Sequence, residues 1–243
     1  MPRSRSPRVL PDGTPLQNRL LAAVPFADYD RLRKHLRMVQ VGAGEALHDH
    51  ATRITDVYFP NGGVFSVTMR MRSGAAVEVA TVGREGMLGI GVFLGDRIGA
   101  GYTFQQVADG DLPSMSAGRF LKESAQAGPF RAAIEAYAQA SLLQIMQGAA
   151  CNALHDVTQR CCRWLLQAHD RVDVDDFPMK QEFLAIMLGV RRPTVTVVMR
   201  ALNDAGLISS GYGRIRILSR KRLEAAACEC YGVIRVHFAR RGM

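Results

Sequence analysis

The sequence contains no long apolar run, no even set of cysteines and fewer acidic than basic side chains. No uninterrupted apolar stretch approaches the roughly 18 residues that a membrane span needs. Five cysteines in 243 residues are an odd number in a long chain, which argues against a small secreted scaffold held by disulfides. The first fifteen residues are interrupted by prolines and lack the apolar core of a signal peptide. We therefore expect a reduced, cytoplasmic protein.

The shortage of acidic side chains is local. The chain has 31 Lys and Arg against 22 Asp and Glu, a formal net charge of +9. Residues 178–222 hold nine basic and two acidic residues, or +7, while Arg3, Arg5 and Arg8 add +3 and the remainder sums to −1. One basic segment on a nearly neutral remainder is typical of a nucleic-acid-binding module. The alternative at this point is a solvated basic face.

Two periodicities divide the chain. Residues 16–128 contain short apolar stretches separated by glycine-bearing turns, and residues 77–82 alternate with the period of a strand that has one buried face. Many short strands with regular turns predict a sandwich or barrel. Strands are predicted at residues 56–60, 64–71, 76–82 and 102–107, with flanking helices at 16–36 and 117–127.

After Pro129 the apolar residues recur with the period of a helix, which we predict at residues 129–153. Such a helix either crosses a large core or pairs with a copy of itself. We expect a parallel homodimer, because the stripe is too long to be buried by one small β-domain. Asp156, followed by Gln159, predicts the capped start of the next helix. The predicted dimerisation residues are Ile134, Ala138, Leu142, Ile145 and Ala149.

Residues 181–200, QEFLAIMLGVRRPTVTVVMR, fit the twenty-residue helix-turn-helix template at all seven of its diagnostic positions. Two helices that cross steeply need a small residue at their contact, which Ala185 provides. The tight turn between them favours a glycine that can adopt positive φ, which Gly189 provides. The five apolar positions of the template are filled by Leu184, Leu188, Val190, Val195 and Val198.

The second helix of this motif is predicted to have a buried face of Val195, Val198, Met199 and Leu202. On its outward face, Arg192 suits bidentate contact with guanine and Val197 suits a thymine methyl. Residues 209–217 predict a hairpin, or wing, whose arginines face phosphates. The predicted DNA-binding residues are Lys180, Gln181, Arg191, Arg192, Pro193, Thr194, Thr196, Val197, Arg200, Arg214 and Arg216.

Three segments together make the chain resemble the Crp/Fnr family of bacterial transcription regulators. They read GEALHDHATRITDVYFPNGGVFSV, VEVATVGREGMLGIGVFLG and QEFLAIMLGVRRPTVTVVMRALNDAGLI. The resemblance implies an α+β chain with an N-terminal double-stranded β-helix (jelly-roll) sensor domain, a dimerisation helix and a C-terminal winged helix-turn-helix that binds palindromic promoter DNA. It implies base reading by Arg192, Pro193 and Val197, and phosphate contact by Thr194.

We accordingly place a flexible basic tail at residues 1–15, the sensor domain at 16–128, the dimerisation helix at 129–153 and the DNA-binding domain at 154–243. The expected partners are double-stranded DNA, a second copy of the chain and RNA polymerase, with no membrane. We expect no enzymatic activity, no catalytic residue and no cofactor.

The sensor domain lacks the residues that cyclic-nucleotide sensors of this family use. Their phosphate cassette has a Gly-Glu pair and a later arginine, but the alignment places Ile90 on the glutamate and Gly99 close to the arginine. Burying a phosphate without its arginine is costly. We therefore leave the effector unassigned and expect that it is not cyclic AMP. A pocket rebuilt around Glu85 or Arg97 is the alternative, and a cyclic-nucleotide-responsive regulator would follow from it.

The histidines suggest a second alternative. Gly42, His48 and His50 match the opening of a metal-binding cupin motif, but the glutamate that should follow is absent at its expected spacing. A cupin-like metalloenzyme is thus the weaker alternative.

The cysteines are also open to a chemical role. The family's iron–sulfur sensors need cysteines near the N-terminus, whereas the first cysteine here is Cys151. Redox or metal-binding roles are conceivable for Cys161, Cys162, Cys228 and Cys230, but free cysteines are usually small buried apolar residues. We therefore expect no metal site.

Overall fold

The structure, a computed structural model, describes residues 8–42, 44–107 and 112–243. Arg3 and Arg5 of the basic N-terminal segment lie outside the described residues. None of the described helices combines the length and the apolar composition of a membrane span.

The N-terminal part is built on two antiparallel sheets, with strand orders β1-β7-β3 and β2-β6-β4-β5. All four predicted strands are present, and three short ones were missed because three to five residues carry little periodic signal. The strands are β1 Arg37–Val39, β2 Ala46–His48, β3 Asp56–Tyr58, β4 Val64–Arg70, β5 Ala76–Val82, β6 Tyr102–Val107 and β7 Leu112–Ser116.

The helical segment predicted at residues 16–36 is two helices, α1 Arg19–Ala23 and α2 Phe26–Arg33. They are separated at Pro25, which has no N–H for a helical hydrogen bond. The predicted helix at 117–127 is α3 Ala117–Ala125, and the side chain of Ser116 caps its N-terminus.

Residues 8–10 are packed against this domain, so the prediction of a flexible tail over residues 1–15 is wrong for them. Leu10 is fully buried in the N-terminal core. Arg8 donates Nη1 hydrogen bonds to the carbonyl oxygens of Ala22 (2.8 Å) and Val24 (2.7 Å), which end α1. An apolar anchor and an arginine that satisfies free helix carbonyls together hold the segment in place.

The long helix α4, Pro129–Leu154, has one buried and one exposed face. Leu142 is 59 % exposed and Ile145 is 43 % exposed, as the predicted dimerisation stripe requires. Ile134 was wrongly placed in that stripe, because it is fully buried in the N-terminal core. It lies about 80° around the helix from Leu142, since eight residues at 100° each overshoot two turns.

The C-terminal part contains a small sheet of order β8-β10-β9 and five helices. Asp156 caps α5 through hydrogen bonds from the N–H groups of Thr158 and Gln159, at 2.8 and 3.0 Å, as the sequence predicts. The elements are α5 Val157–Val172, β8 Asp176–Pro178, α6 Gln181–Leu188, α7 Arg192–Asp204, β9 Ile208–Gly211, β10 Arg214–Ile217, α8 Arg220–Ala226 and α9 Cys230–Ala239. The predicted α+β architecture of β-domain, long helix and winged helix-turn-helix is confirmed.

Helix α9 packs on the N-terminal core and also on the C-terminal part, where Tyr231 is buried in the winged-helix cluster. Its Ile234 and Phe238 belong to the same apolar cluster as Tyr137 of α4, and the Tyr137 and Phe238 rings lie 6.5 Å apart. Because α9 contacts both parts of the chain, the predicted extent of the DNA-binding domain, residues 154–243, stays a prediction. Apolar residues that recur in α9 indicate burial but not the surface that buries them.

The two parts also share a core. Val64 and Val107 of the β-domain join the apolar cluster of the winged helix, and the Phe104 and Phe183 rings lie 6.2 Å apart. Strand β5 is contacted by both α4 and α6, and all of its residues Ala76–Ala80 are half-buried. The prediction that this strand has one buried face is therefore incomplete.

Candidate nucleic-acid interface

Helices α6 and α7 form a helix-turn-helix as the sequence predicts. Gly189 ends α6 with φ of +63°, and a Cβ at this position would lie 3.2 Å from Val77 Cγ2. Ala185 is buried at the crossing of the two helices, and its carbonyl oxygen accepts the Val190 N–H at 3.0 Å. Of the five apolar template positions, four are buried and Val190 is half-buried. The turn thus needs the positive φ that glycine adopts without strain.

One face of α7 supports the motif and the other faces solvent. Val195, Val198, Met199 and Leu202 are buried, as predicted. Val197 is 69 % exposed, and an apolar residue so exposed is available to a partner. The remaining exposed residues of this face, with the preceding N-cap, are Arg191, Arg192, Pro193, Thr194, Thr196 and Arg200.

Two polar contacts tie the exposed face of α7 to the first turn of α6. Arg192 Nε lies 3.2 Å from Glu182 Oε1, and both side chains are more than half exposed. Thr196 donates its hydroxyl to Gln181 Oε1 at 2.9 Å. The Glu182 contact was not predicted, because a helix-turn-helix template fixes the buried positions and leaves the polar ones free. It orients the Arg192 side chain and is weak enough to be exchanged for a nucleic-acid contact.

Strands β9 and β10 form the predicted wing. Tyr212 and Gly213 have φ of +50° and +72°, which is the pattern of a two-residue hairpin turn. Tyr212 is fully exposed at the tip, a feature that the sequence analysis did not single out. Ile215 and Ile217 are buried, so that Arg214 and Arg216 alternate with them and face solvent.

The wing arginines share one carboxylate. Arg214 Nε lies 2.7 Å from Asp176 Oδ1, and Arg216 Nη2 lies 3.0 Å from Asp176 Oδ2. Hydrogen bonds from Arg216 and then Arg214 hold the pKa of Asp176 below its ordinary value. Asp176 lies in β8, which pairs with β10. It therefore partly neutralises the wing.

Residues 159–226, which include α6, α7 and the wing, match the Crp-like helix-turn-helix domain. We call residues 159–226 the Crp-like domain after this match. Its second helix is α7, and the predicted DNA-binding residues lie on that helix, at the start of α6 and on the wing. No curated protein sequence matches the chain.

Solved structures of Crp/Fnr proteins share the fold of about four-fifths of the chain. FixK2 from Bradyrhizobium japonicum has a TM-score of 0.67 at 15 % identity, covering 79 % of this chain and 98 % of its own. The c-di-GMP-responsive regulator CLP from Xanthomonas campestris has a TM-score of 0.66 at 16 % identity, covering 80 % and 100 %. A CRP-family regulator from Thermus thermophilus has a TM-score of 0.65 at 16 % identity, covering 79 % and 96 %. The expected Crp/Fnr resemblance is confirmed.

A cavity of about 210 Å³ lies between the four-stranded sheet and α4, in the N-terminal domain that precedes the Crp-like domain. The cassette positions Gly89, Ile90 and Gly99 line it, and no arginine is among the described residues that do so. Glu85 cannot replace the missing glutamate, because it is buried in an ion pair with Arg171 (Nη2–Oε1 2.6 Å). The described residues of the lining therefore lack the cationic group that a cyclic phosphate requires.

The histidines of the cupin-like motif lie apart from any metal-type cluster that the described residues form. His48 is buried, its Nε2 lies 2.9 Å from the carbonyl oxygen of Asp56, and burial holds its pKa below the ordinary value. His50 lies on the surface, with Nδ1 3.2 Å from the carbonyl oxygen of Ala100. Backbone contacts account for both rings.

The five cysteines fall into two groups, both buried. Cys161 and Cys162 lie in the core of the Crp-like domain, as small apolar residues do. Cys151, Cys228 and Cys230 form a separate cluster next to His155. No pattern along the sequence connects them, because 77 positions separate Cys151 from Cys228. The available signal was the pair of short spacings, Cys-x3-His and Cys-x-Cys.

Proposed function

We propose that the protein is a sequence-specific DNA-binding transcription regulator that acts as a homodimer on palindromic promoter sites and has no enzymatic activity. The observation that carries this proposal is the exposed face of α7 in the Crp-like domain. Three arginines, two threonines and the exposed Val197 share that region, and the basic wing follows it in the chain. Basic groups for phosphates beside groups for base edges are what a specific DNA reader needs.

Within this proposal the contacts divide by chemistry. Arg192, near the N-terminus of α7, reads guanine through O6 and N7, and Val197 contacts a thymine methyl. Thr194 and the wing arginines hold phosphates and set the register. The further contacts are assigned to Lys180, Gln181, Arg191, Pro193, Thr196 and Arg200.

The dimer is assigned to the exposed face of α4. Ala138, Leu142, Ile145 and Ala149 follow one another at the alternating four- and three-residue spacing of a two-helix seam. Met146 flanks this seam and is 62 % exposed. Pairing two such helices covers apolar side chains that a single chain leaves in water. The two-fold axis then presents two α7 helices to successive major grooves, about 34–36 Å apart.

Regulation through the N-terminal cavity is part of the proposal, but with an effector other than cyclic AMP or cyclic GMP. The missing arginine and the engaged Glu85 both argue against a bound cyclic phosphate. RNA polymerase is the natural further partner of a regulator bound at a promoter.

Selection of duplexes from a randomised DNA library tests the proposal directly. The full-length protein should enrich a palindromic sequence whose half-sites are one helical turn apart. Arg192→Ala should cost about 1–3 kcal/mol per half-site on the enriched sequence and little on random DNA. Arg37→Ala is the matched control, because Arg37 is equally exposed and paired with Asp56 but lies in β1. A library without enrichment would refute specific binding, and equal losses on both DNAs would show that Arg192 contacts only the backbone.

A further inference from the structure

Four metal-binding side chains from distant parts of the chain meet at the C-terminal end of α4. Cys151 lies in the last turn of that helix and His155 follows it, while Cys228 and Cys230 come from the start of α9. Their ligand atoms all lie within 4.8 Å of one another. The three cysteines are buried and His155 is half-buried. Such a set of soft sulfur atoms and one imidazole is the donor set of structural zinc sites.

The separations within the cluster match a tetrahedral site. Zinc–sulfur bonds of about 2.3 Å and zinc–nitrogen bonds of about 2.0–2.1 Å place sulfur atoms about 3.8 Å apart, and sulfur about 3.6 Å from nitrogen. The Sγ atoms of Cys151 and Cys228 are 3.5 Å apart, and Cys230 Sγ is 3.6 Å from His155 Nδ1. An iron–sulfur cluster would hold its four ligands further apart, because they bind different iron ions.

The neighbours of the cluster orient its ligands. His155 turns Nδ1 towards the sulfur of Cys230, while its Nε2 lies 3.1 Å from Glu229 Oε2. A carboxylate on one ring nitrogen leaves the other nitrogen free for a metal ion, as is usual for metal-bound histidines. Gln147 also donates an Nε2–H hydrogen bond to Cys230 Sγ at 3.1 Å, which suits a negatively charged thiolate.

We propose that Cys151, His155, Cys228 and Cys230 bind one zinc ion, with Glu229 and Gln147 as positioning residues. The site joins the end of α4 to the first residues of α9, next to the connection at which α5 and the Crp-like domain begin. The ion fixes the C-terminal segment on the long helix from one end, while the packing of Ile234 and Phe238 fixes it further along. Metal binding therefore stabilises the folded chain by its own binding free energy.

Cobalt titration of the reduced, chelator-treated full-length protein tests this proposal. We expect one Co²⁺ per chain, the visible absorption of a tetrahedral thiolate site, and displacement by an equal amount of Zn²⁺. Cys228→Ser should abolish this absorption, whereas the matched control Cys162→Ser, also buried but outside the cluster, should retain it. Glu229→Gln keeps a largely exposed position and should weaken Co²⁺ binding about 10-fold or more, since it acts through His155.

Several outcomes would overturn the proposal. Reduced wild-type protein that binds no Co²⁺, or that binds it without tetrahedral thiolate absorption, would exclude the site. If Cys162→Ser lost the Co²⁺ absorption as Cys228→Ser does, the metal would lie elsewhere or the variants would have unfolded. The wild-type and Glu229→Gln titrations do not depend on these substitutions and test the site separately. If the isolated protein contained iron with acid-labile sulfide, the cluster would be an iron–sulfur site. If it contained no metal and a Cys151–Cys228 disulfide, the cluster would be a disulfide site. None of these results depends on DNA binding.

Discussion

Trp164 donates its indole N–H to Oε1 of Glu78 at 2.8 Å, and this contact joins α5 of the Crp-like domain to β5 of the N-terminal sheet. The second carboxylate oxygen accepts the hydroxyl hydrogen bond of Ser66. Burial raises the pKa of Glu78 to about 7, and these two hydrogen bonds only partly oppose it. The docking of the two parts therefore includes a carboxyl group that titrates near neutral pH.

The first prediction concerns pH. Because the folded pKa of Glu78 is raised, the folded chain holds a proton that the unfolded chain releases, and this stabilisation disappears as the pH rises through about 7. Between pH 5 and 8, the free energy of unfolding of the wild type should fall by about 2–3 kcal/mol relative to Glu78→Gln. Urea unfolding of both proteins at the two pH values measures this. Parallel pH profiles of wild type and variant would contradict a raised pKa at Glu78.

The second prediction concerns the dimer. Replacing Leu142 and Ile145 together by glutamate should give monomers, because like charges would meet along the seam. Leu154→Glu is the control, since Leu154 is 80 % exposed on the same helix but lies about 120° around it from Leu142. Sedimentation at micromolar concentration distinguishes the species. A wild type that sediments as a monomer under these conditions would refute the dimer.

The third prediction concerns the wing. Arg214→Ala or Arg216→Ala should weaken binding to specific and random DNA alike. The slope of the logarithm of affinity against the logarithm of salt concentration should become less steep by about one unit for each phosphate contact that a dimer half loses. Asp176→Asn should have the opposite effect on affinity, because it frees both arginines from their shared carboxylate. Competition binding at two salt concentrations gives both quantities. If either arginine variant bound the specific sequence more weakly but random DNA as well as the wild type does, that arginine would contact bases and not phosphates.

The fourth prediction concerns the effector. Cyclic AMP and cyclic GMP should not bind with low-micromolar affinity, because Ile90 and Gly99 stand at the positions of the ribose acceptor and the phosphate-binding arginine. Calorimetric titration of the full-length protein tests both nucleotides. Low-micromolar binding of either one would mean that the cavity rearranges to admit a cation, and Arg97→Ala would then identify it.

The helix-turn-helix, the wing and the long helix could all be predicted from the amino-acid sequence. Their signals are local: the period of apolar residues, Gly189 at the turn, the cap at Asp156 and the alternation of Arg and Ile in β10. Counting charged residues along the sequence also shows that residues 178–222 carry most of the net charge, because such a count needs no structure. These features depend on neighbours within a few positions, and the fold preserves them.

Which surfaces meet could not be predicted from the sequence and follows from the three-dimensional fold. The sequence is compatible with Ile134 in a dimer seam or in the core, and the packing of the β-domain on its side of α4 places it in the core. Asp176 is likewise a strand residue because β8 pairs with β10. The cluster of Cys151, His155 and Cys228 needs α9 to return to the end of α4. Such contacts join residues far apart in the chain, and their energy depends on packing between elements, which periodicity along a single element does not encode.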